Sequence, residues 1–122
     1  MMQRLALVSL FLLLTACRED VRMLDADEMQ ALLAQDRKIA FKRLSFAGSA
    51  VLRADGTFEV SIPRLGEDTG SWWLEDGRIC SRWAEFRRGQ ELCASAGGLP
   101  DGTYRAMHGA FGTRLGEFWF VN

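Results

Sequence analysis

The residue types that carry most enzyme chemistry are sparse in this chain. His108 is the single histidine, and because it precedes Gly109 it is as readily a turn residue as a general base. The serines fit neither a G-x-S-x-G elbow nor an S-x-x-K motif. Glu67 and Asp68 could serve a metal or acid–base chemistry, although adjacent carboxylates are more often a solvated loop tip. The sequence therefore predicts a protein that is not an enzyme and needs no metal or cofactor.

The N-terminal segment has the pattern of an export signal. Arg4 precedes an apolar run over 5–14, which is shorter than the ~20 residues that span a bilayer. Small residues follow the run, as they do before a signal cleavage site. An ordinary signal peptide cut near Ala16 is one interpretation. The segment Leu14-Thr15-Ala16-Cys17, however, resembles the lipobox of bacterial lipoproteins.

That resemblance implies a protein anchored in a membrane through acyl chains. A signal peptide over 1–16 would be removed, Cys17 would be acylated, and 17–23 would form a tether to a single domain over 24–122. The residue after the cysteine is Arg18 rather than aspartate, which favours the outer membrane over the inner one. We therefore expect a bacterial envelope protein that faces the periplasm.

Composition limits the partners of this domain. The chain has 122 residues and a formal net charge of −1 at pH 7, which suits one domain of ordinary size. Its basic residues are scattered, and Arg87-Arg88 is the densest pair. A nucleic-acid partner is therefore not expected, whereas an envelope protein partner is.

With Cys17 assigned to lipid, Cys80 and Cys93 remain as an even pair in an oxidising compartment, which predicts a disulfide. In a hairpin that turns between Glu85 and Gly89 the two cysteines face each other, and so do Arg82 and Glu91, an oppositely charged pair. A redox-active or metal-binding pair is the alternative, but the spacing differs from C-x-x-C.

The remaining pattern predicts one helix followed by strands. Asp25 and Glu28 have the spacing of a capping box, and an apolar stripe predicts a helix from about Ala26 to Arg37. Asp-Gly then recurs at three hairpin positions, each expected to be a type I′ turn. The loops are expected over Pro63–Gly70 and Gly97–Pro100. The expected strands are Ala40–Phe46, Ala50–Arg53, Thr57–Ile62, Ser71–Glu75, Arg78–Ala84, Gln90–Ser95, Thr103–His108 and Arg114–Val121.

This order of elements predicts a mainly β protein with one N-terminal helix. Long helices do not alternate with the strands, so a parallel sheet is not expected. Seven or eight strands in an antiparallel meander suit a small barrel or a strongly curled sheet.

Two tryptophan- and cysteine-containing motifs carry a second resemblance. Gly70-Ser71-Trp72-Trp73 is followed by a turn, by Cys80-Ser81-Arg82-Trp83 and by Cys93 on the next strand. This G-x-W…C-x-x-W…C pattern is similar to that of a loose group of uncharacterised bacterial exported domains. The resemblance implies a small β-rich fold and no catalytic residue. The chain departs from the group at Ala94, where an aromatic residue is common.

Tryptophans are numerous for so small a domain. Neighbours in a strand point to opposite faces, so one set must pack inside while the other is covered by the helix or exposed. If exposed, they mark a binding surface. The candidate binding residues are Trp72, Trp73, Trp83 and Trp119.

Three functions without catalysis fit these observations. The first is a lipid-anchored binding or interaction module in the envelope. The second is an inhibitor of a cell-wall hydrolase such as lysozyme, in which Pro63–Gly70 or Glu85–Gly89 would protrude. The third is a carrier of small apolar ligands, which requires a cavity of a few hundred Å³ inside the barrel.

Overall fold

The computed structural model describes residues 20–109 and 112–122. The predicted signal peptide and the lipid attachment residue Cys17 lie outside the described residues and remain predictions. Within these two ranges no helix has both the length and the apolar character needed to cross a bilayer.

The described chain contains one α-helix and nine strands. In chain order they are β1 (Arg22–Met23), α1 (Ala26–Leu32), β2 (Arg37–Arg43), β3 (Phe46–Leu52), β4 (Thr57–Ile62), β5 (Gly66–Glu75), β6 (Arg78–Trp83), β7 (Glu91–Gly98), β8 (Tyr104–His108) and β9 (Thr113–Val121). A short 3₁₀ turn over Phe86–Gly89 joins β6 to β7.

Eight of the strands close into an up-and-down barrel. From β2 to β9 every strand pairs antiparallel with the next one along the chain, and β9 returns to pair with β2. Closure pairs both edges of each barrel strand and so leaves no long free edge. The predicted antiparallel meander with an N-terminal helix is confirmed, and it forms a barrel.

Alternation along the strands explains which side chains fill the barrel. On β4, Phe58 and Val60 are buried, whereas their neighbours Thr57 and Glu59 are exposed. Glycine allows one close approach inside: a Cβ at Gly70 would lie 2.2 Å from the Arg82 carbonyl oxygen and 2.5 Å from the Phe58 ring. The absent side chain therefore makes room for Phe58 over β5.

Strand β1 lies outside the eight-stranded barrel. Its pairing shows that part of the predicted loop Gly97–Pro100 is strand. Gly97 and Gly98 belong to β7, where they pair with Met23 and Arg22 and also with β8. A Cβ at Gly97 would lie 2.3 Å from the Val21 side chain. Gly97 and Gly98, which the sequence predicted to be loop residues, are thus strand residues, and the missing side chain of Gly97 lets the N-terminal segment pack closely.

The Asp-Gly turns all lie at one end of the barrel, but they differ in type. At Asp76-Gly77 both residues have positive φ, 53° and 74°, as the predicted type I′ turn requires. At the other two turns only Gly56 and Gly102 have positive φ. There the aspartate instead accepts hydrogen bonds from the backbone N–H and hydroxyl of the threonine two residues later. The type I′ prediction is therefore wrong for those two turns.

The helix begins as predicted and ends early. Asp25 accepts a hydrogen bond from the Glu28 N–H at 2.8 Å, and the Glu28 carboxylate accepts one from the Asp25 N–H, which confirms the capping box. The helix was expected to reach Arg37, but it ends at Leu32. Asp36 instead accepts a hydrogen bond from the Ala54 N–H at 2.8 Å, which ties the chain to a barrel turn just before β2 begins.

Helix α1 packs against one end of the barrel. Leu24, Met29 and Leu33 are at most 7% exposed and form a core cluster with Ala96 of β7. The Leu24 N–H also donates to the Ala96 carbonyl at 2.9 Å. We call this the helix end, and we call the opposite end, where β2, β4, β6 and β8 finish, the mouth.

Candidate ligand-binding cavity

The barrel encloses an apolar cavity of about 400 Å³ between α1 and the mouth. Its volume falls within the ~300–1,000 Å³ range of small-molecule sites. Met29 and Leu32 of the helix and Leu33, the residue just after it, line one end. Inward side chains from the strands line the wall, among them Ile39, Phe41, Ala50, Leu52, Phe58, Val60, Trp72, Ile79, Trp83, Ala94, Ala106, Phe118 and Phe120.

Two of the four candidate tryptophans line this cavity. The indole N–H of Trp72 donates to the Arg53 carbonyl at 2.8 Å, and that of Trp83 donates to the Ser81 hydroxyl at 3.0 Å. Trp83 also meets Phe58 edge to face at 5.2 Å between ring centroids. Because the polar atoms of both indoles are already satisfied, they present apolar surface to the cavity.

The other two tryptophans lie on the outer face. Trp73 alternates with Trp72, and Trp119 lies between Phe118 and Phe120, which line the cavity. Both outer tryptophans are half-buried. The four candidate residues are therefore divided between the two faces of the barrel wall and do not share one surface.

The predicted disulfide is confirmed. Cys80 and Cys93 are bonded, and they lie directly opposite each other on β6 and β7. Trp73 is the partner of Cys80 on the other side, so the bridge continues a row across three strands on the outer face. Arg82 and Glu91 pair in the same register, with 3.5 Å between charged atoms.

Two carboxylates lie beside the disulfide, but they do not make a metal site in this state. Glu75 is 3.7 Å from the Cys80 sulfur, and Glu91 is 3.6 Å from the Cys93 sulfur. Cysteine binds metals as the thiolate, and both sulfurs are occupied by their bond to each other. The four side chains are therefore part of a structural bridge.

Asp68 corrects the prediction of a solvated loop tip. The loop expected over Pro63–Gly70 consists of only three residues, because β5 begins at Gly66. Asp68 is only 7% exposed and belongs to this strand, whereas its neighbour Glu67 is exposed. The alternation that places Trp72 inside also places Asp68 on the inner side.

The Asp68 carboxylate holds the loop between β6 and β7. It accepts hydrogen bonds from the backbone N–H groups of Glu85 at 3.1 Å, Phe86 at 2.8 Å and Thr69 at 2.9 Å. Burial alone would raise the pKa of Asp68, but these three donors lower it below its ordinary value. The carboxylate is therefore charged at neutral pH and fixes the loop that carries Phe86 and Arg87 to the mouth.

The rim of the mouth combines apolar and basic side chains. Leu44, Phe46 and Leu65 are 86%, 45% and 54% exposed, and each lies in or beside a turn at this end. Arg64, in the turn before β5, contributes charge, as do Arg87 and Arg88 in the 3₁₀ turn. The turns at the helix end carry Asp55, Asp76 and Asp101 against Arg53, and the mouth turns carry one acidic residue, Glu85, so the described turns are net negative at the helix end and net positive at the mouth.

Polar side chains in the cavity wall are few among the residues that the structure describes. They are Ser81, Arg43, Arg87 and Glu117, apart from the indoles. Glu117 pairs with Arg114 and, at 3.7 Å, with Arg105. Arg43 ends β2 and Arg87 lies in the 3₁₀ turn, so both arginines lie at the mouth.

The sequence indicated Asp68 only together with Glu67, as an adjacent carboxylate pair, and it did not identify the two cavity arginines as site residues. The signal for Asp68 was its even spacing from Gly70 and Trp72 on one strand. Arg43 and Arg87 have no comparable local signal, because only closure of the ring brings β2 and the β6–β7 loop to the same mouth. His108 lies at the end of β8 opposite Thr113, as its predicted position at a strand end requires.

Comparison with known proteins adds no assignment. No family model matches this chain, and neither a curated protein nor a solved structure matches it.

Proposed function

We propose that this protein is a lipid-anchored binding module of the bacterial envelope that holds a small apolar ligand inside its barrel. The observation that carries the proposal is the cavity of about 400 Å³, whose walls are almost entirely apolar. An apolar ligand that leaves water gains about 25 cal/mol for each Å² it buries. Of the three functions considered from the sequence, the carrier is the one that requires such a space.

The mouth offers a route to this cavity. Leu44, Phe46 and Leu65 are exposed there, whereas Met29 of α1 and Leu33, just after the helix, are buried over the opposite end. Exposed apolar side chains around an opening mark surfaces that contact apolar partners or ligands. The ligand therefore passes through the mouth.

An anchor at Cys17 would set the direction in which the mouth points. Asp20 follows Cys17 by three positions, a span of at most about 10 Å. Strand β1 lies at the helix end, and the length of β5 places the mouth roughly 25 Å farther away. The ligand would then be exchanged on the side that faces away from the anchoring membrane.

Replacing Ala50 by phenylalanine tests the cavity directly. Ala50 lines the cavity midway along β3, so a phenyl ring there takes up space that the ligand needs. We expect wild type to bind the neutral fluorescent probe phenylnaphthylamine, with a change in the emission of Trp72 and Trp83. Ala50→Phe should weaken that binding at least tenfold, a loss of about 1.4 kcal/mol, in a fluorescence titration.

Ala47→Phe is the matched control for this experiment. Ala47 lies three residues earlier on the same strand, and it is exposed on the outer face. The identical substitution there should leave probe binding within twofold of wild type. Failure of wild type to bind the probe, or equal binding by the Ala50 variant, would contradict the proposed function.

The anchor has a separate test. Cys17→Ala removes the sulfur to which the first acyl chains would be attached, so the variant should be recovered in the soluble fraction of the periplasm. One acyl chain holds a protein only marginally, and two or more are needed for stable anchoring. Fractionation of cells followed by immunoblotting measures this, and membrane association that persists in the variant would show that the anchor lies elsewhere.

A further inference from the structure

We infer that the ligand is a single-chain amphiphile with an anionic head, a carboxylate or a phosphate, which is held by Arg43 and Arg87 at the mouth. This inference rests on the proposed binding of an apolar ligand in the barrel. It adds the chemistry of the head group and the two residues that recognise it.

The first observation is that, among the described residues, the inner part of the cavity wall carries almost no polar or charged side chain. From Met29 at the helix end to Trp83, the described wall is apolar except for the Ser81 hydroxyl, which accepts the Trp83 indole N–H. Arg43 and Arg87 lie at the mouth, and the remaining charged residue of this wall, Glu117 in the middle of β9, is already paired with Arg105 and Arg114. A ligand that fills the cavity therefore needs an apolar tail, and any polar head it has must lie at the open end.

The second observation is the sign of the charge that is available there. Glu117 is the one acidic residue in the described cavity wall, and Arg105 and Arg114 already neutralise it. Arg43 and Arg87 form no ion pair with any other residue of the described ranges. Both guanidinium groups are therefore free to bind an anion, and their planar donors match a carboxylate or a phosphate.

The third observation is that backbone conformation and hydrogen bonds fix the position of Arg87. Arg87 has a φ of 60°, a left-handed conformation that costs a non-glycine residue about 1 kcal/mol. Asp68 accepts the backbone N–H groups of Glu85 and Phe86, immediately before it. Arg43 is fixed independently as the last residue of β2, opposite Phe46. Two separate elements thus bring unpaired arginines to one opening.

The distribution of charge over the molecule supports the same ligand. The described mouth turns carry Arg64, Arg87 and Arg88 against one acidic residue, Glu85, whereas the helix-end turns carry three aspartates against one basic residue, Arg53. A field of this polarity attracts an anionic ligand toward the mouth, and salt weakens the attraction. An uncharged apolar ligand would gain nothing from it.

Three single-chain amphiphiles test the inference on the full-length chain carrying Cys17→Ala. Laurate, dodecyl phosphate and dodecanol each contain twelve carbons and have different heads, and each is titrated below its micelle concentration by displacement of phenylnaphthylamine. We expect laurate, dodecyl phosphate or both to bind at least tenfold more tightly than dodecanol, and which of them does identifies the head group. The difference in affinity between the anionic amphiphiles and dodecanol should decrease as the salt concentration is raised.

Paired variants assign this preference to residues. Arg43→Gln together with Arg87→Gln should bring the anionic ligands to the affinity of dodecanol while the affinity for dodecanol stays unchanged, which also shows that the barrel is intact. Arg88→Gln is the matched control, because Arg88 is the neighbouring arginine, has a similar φ of 54° and does not line the cavity. It removes one of the mouth charges but no cavity-lining group, so most of the preference should remain.

The outcomes separate the inference from the proposed function. Equal affinity for all three amphiphiles would overturn the anionic head and leave the apolar cavity site standing. A preference that survives in the double arginine variant would also overturn the inference, because the head would then be held elsewhere. Absence of binding by every amphiphile and by the neutral probe would instead remove the proposed function itself.

Discussion

Asp68→Ala should destabilise the barrel by about 3 kcal/mol, because it leaves buried backbone N–H groups without an acceptor. The carboxylate accepts the N–H groups of Thr69, Glu85 and Phe86, and a buried donor that loses a charged partner costs about 1–3 kcal/mol. For a domain of this size the melting temperature should fall by roughly 15 °C. Thermal unfolding followed by circular dichroism measures the change.

Glu67→Ala is the control for this experiment. Glu67 precedes Asp68 on the same strand but is exposed, and surface substitutions of this kind change stability by within about 0.5 kcal/mol. Equal melting temperatures for the two alanine variants would show that Asp68 does not hold the β6–β7 loop.

The same carboxylate gives wild type a specific dependence on pH. Because the pKa of Asp68 is lower in the folded state than its ordinary value of about 3.9, its contribution is fully present above that pH. The contribution is lost as the pH falls through the lower folded pKa. Asparagine does not titrate, so Asp68→Asn has no such pH-dependent contribution. The difference in free energy of unfolding between wild type and this variant should therefore narrow below pH ~4, as measured by urea titrations.

Those features of the fold that depend on short segments were predictable from the sequence. The capping box at Asp25 and Glu28 involves four successive residues, and the alternation on β4 involves six. Cross-strand pairing of Cys80 with Cys93 follows from the length of one hairpin. In each case the determining contacts are local, so the residues themselves specify the geometry.

The end of α1 was not predictable in this way. The apolar stripe continues past Leu33, and the propensity of 34–37 does not forbid a helix. The chain turns there because Asp36 bonds to Ala54, eighteen residues away, and because Arg37 begins β2. A tertiary contact overrides the local preference at this point.

The sequence also did not predict whether side chains would fill the barrel or leave a cavity inside it. Alternation predicts that Trp72 and Trp73 point in opposite directions, but not which of them is inside. The cavity exists because small residues from distant strands, Ala50, Ala94 and Ala106, face it beside the large ones. Their combined volume matters only after all eight strands have closed, and no single segment contains that information.

The second large effect is expected from the disulfide. The bond closes a loop between residues separated by 13 positions, and a loop of about this length stabilises a folded chain by about 3 kcal/mol in the chain-entropy account. Replacing both Cys80 and Cys93 with alanine should therefore lower the melting temperature by roughly 15 °C. The double variant avoids a free thiol and avoids a hydroxyl at Cys80, which is fully buried.

Two control measurements test whether the lower melting temperature comes from loss of the disulfide. Glu91→Gln removes the neighbouring ion pair with Arg82, whose side chains are 61% and 42% exposed, and such pairs contribute about 0–1 kcal/mol. Its melting temperature should stay close to that of wild type. Since the bridge lies on the outer face, binding of phenylnaphthylamine to the folded alanine double variant should stay within twofold of wild type. A double variant as stable as wild type would mean that the remaining strand pairing already fixes the β6–β7 register.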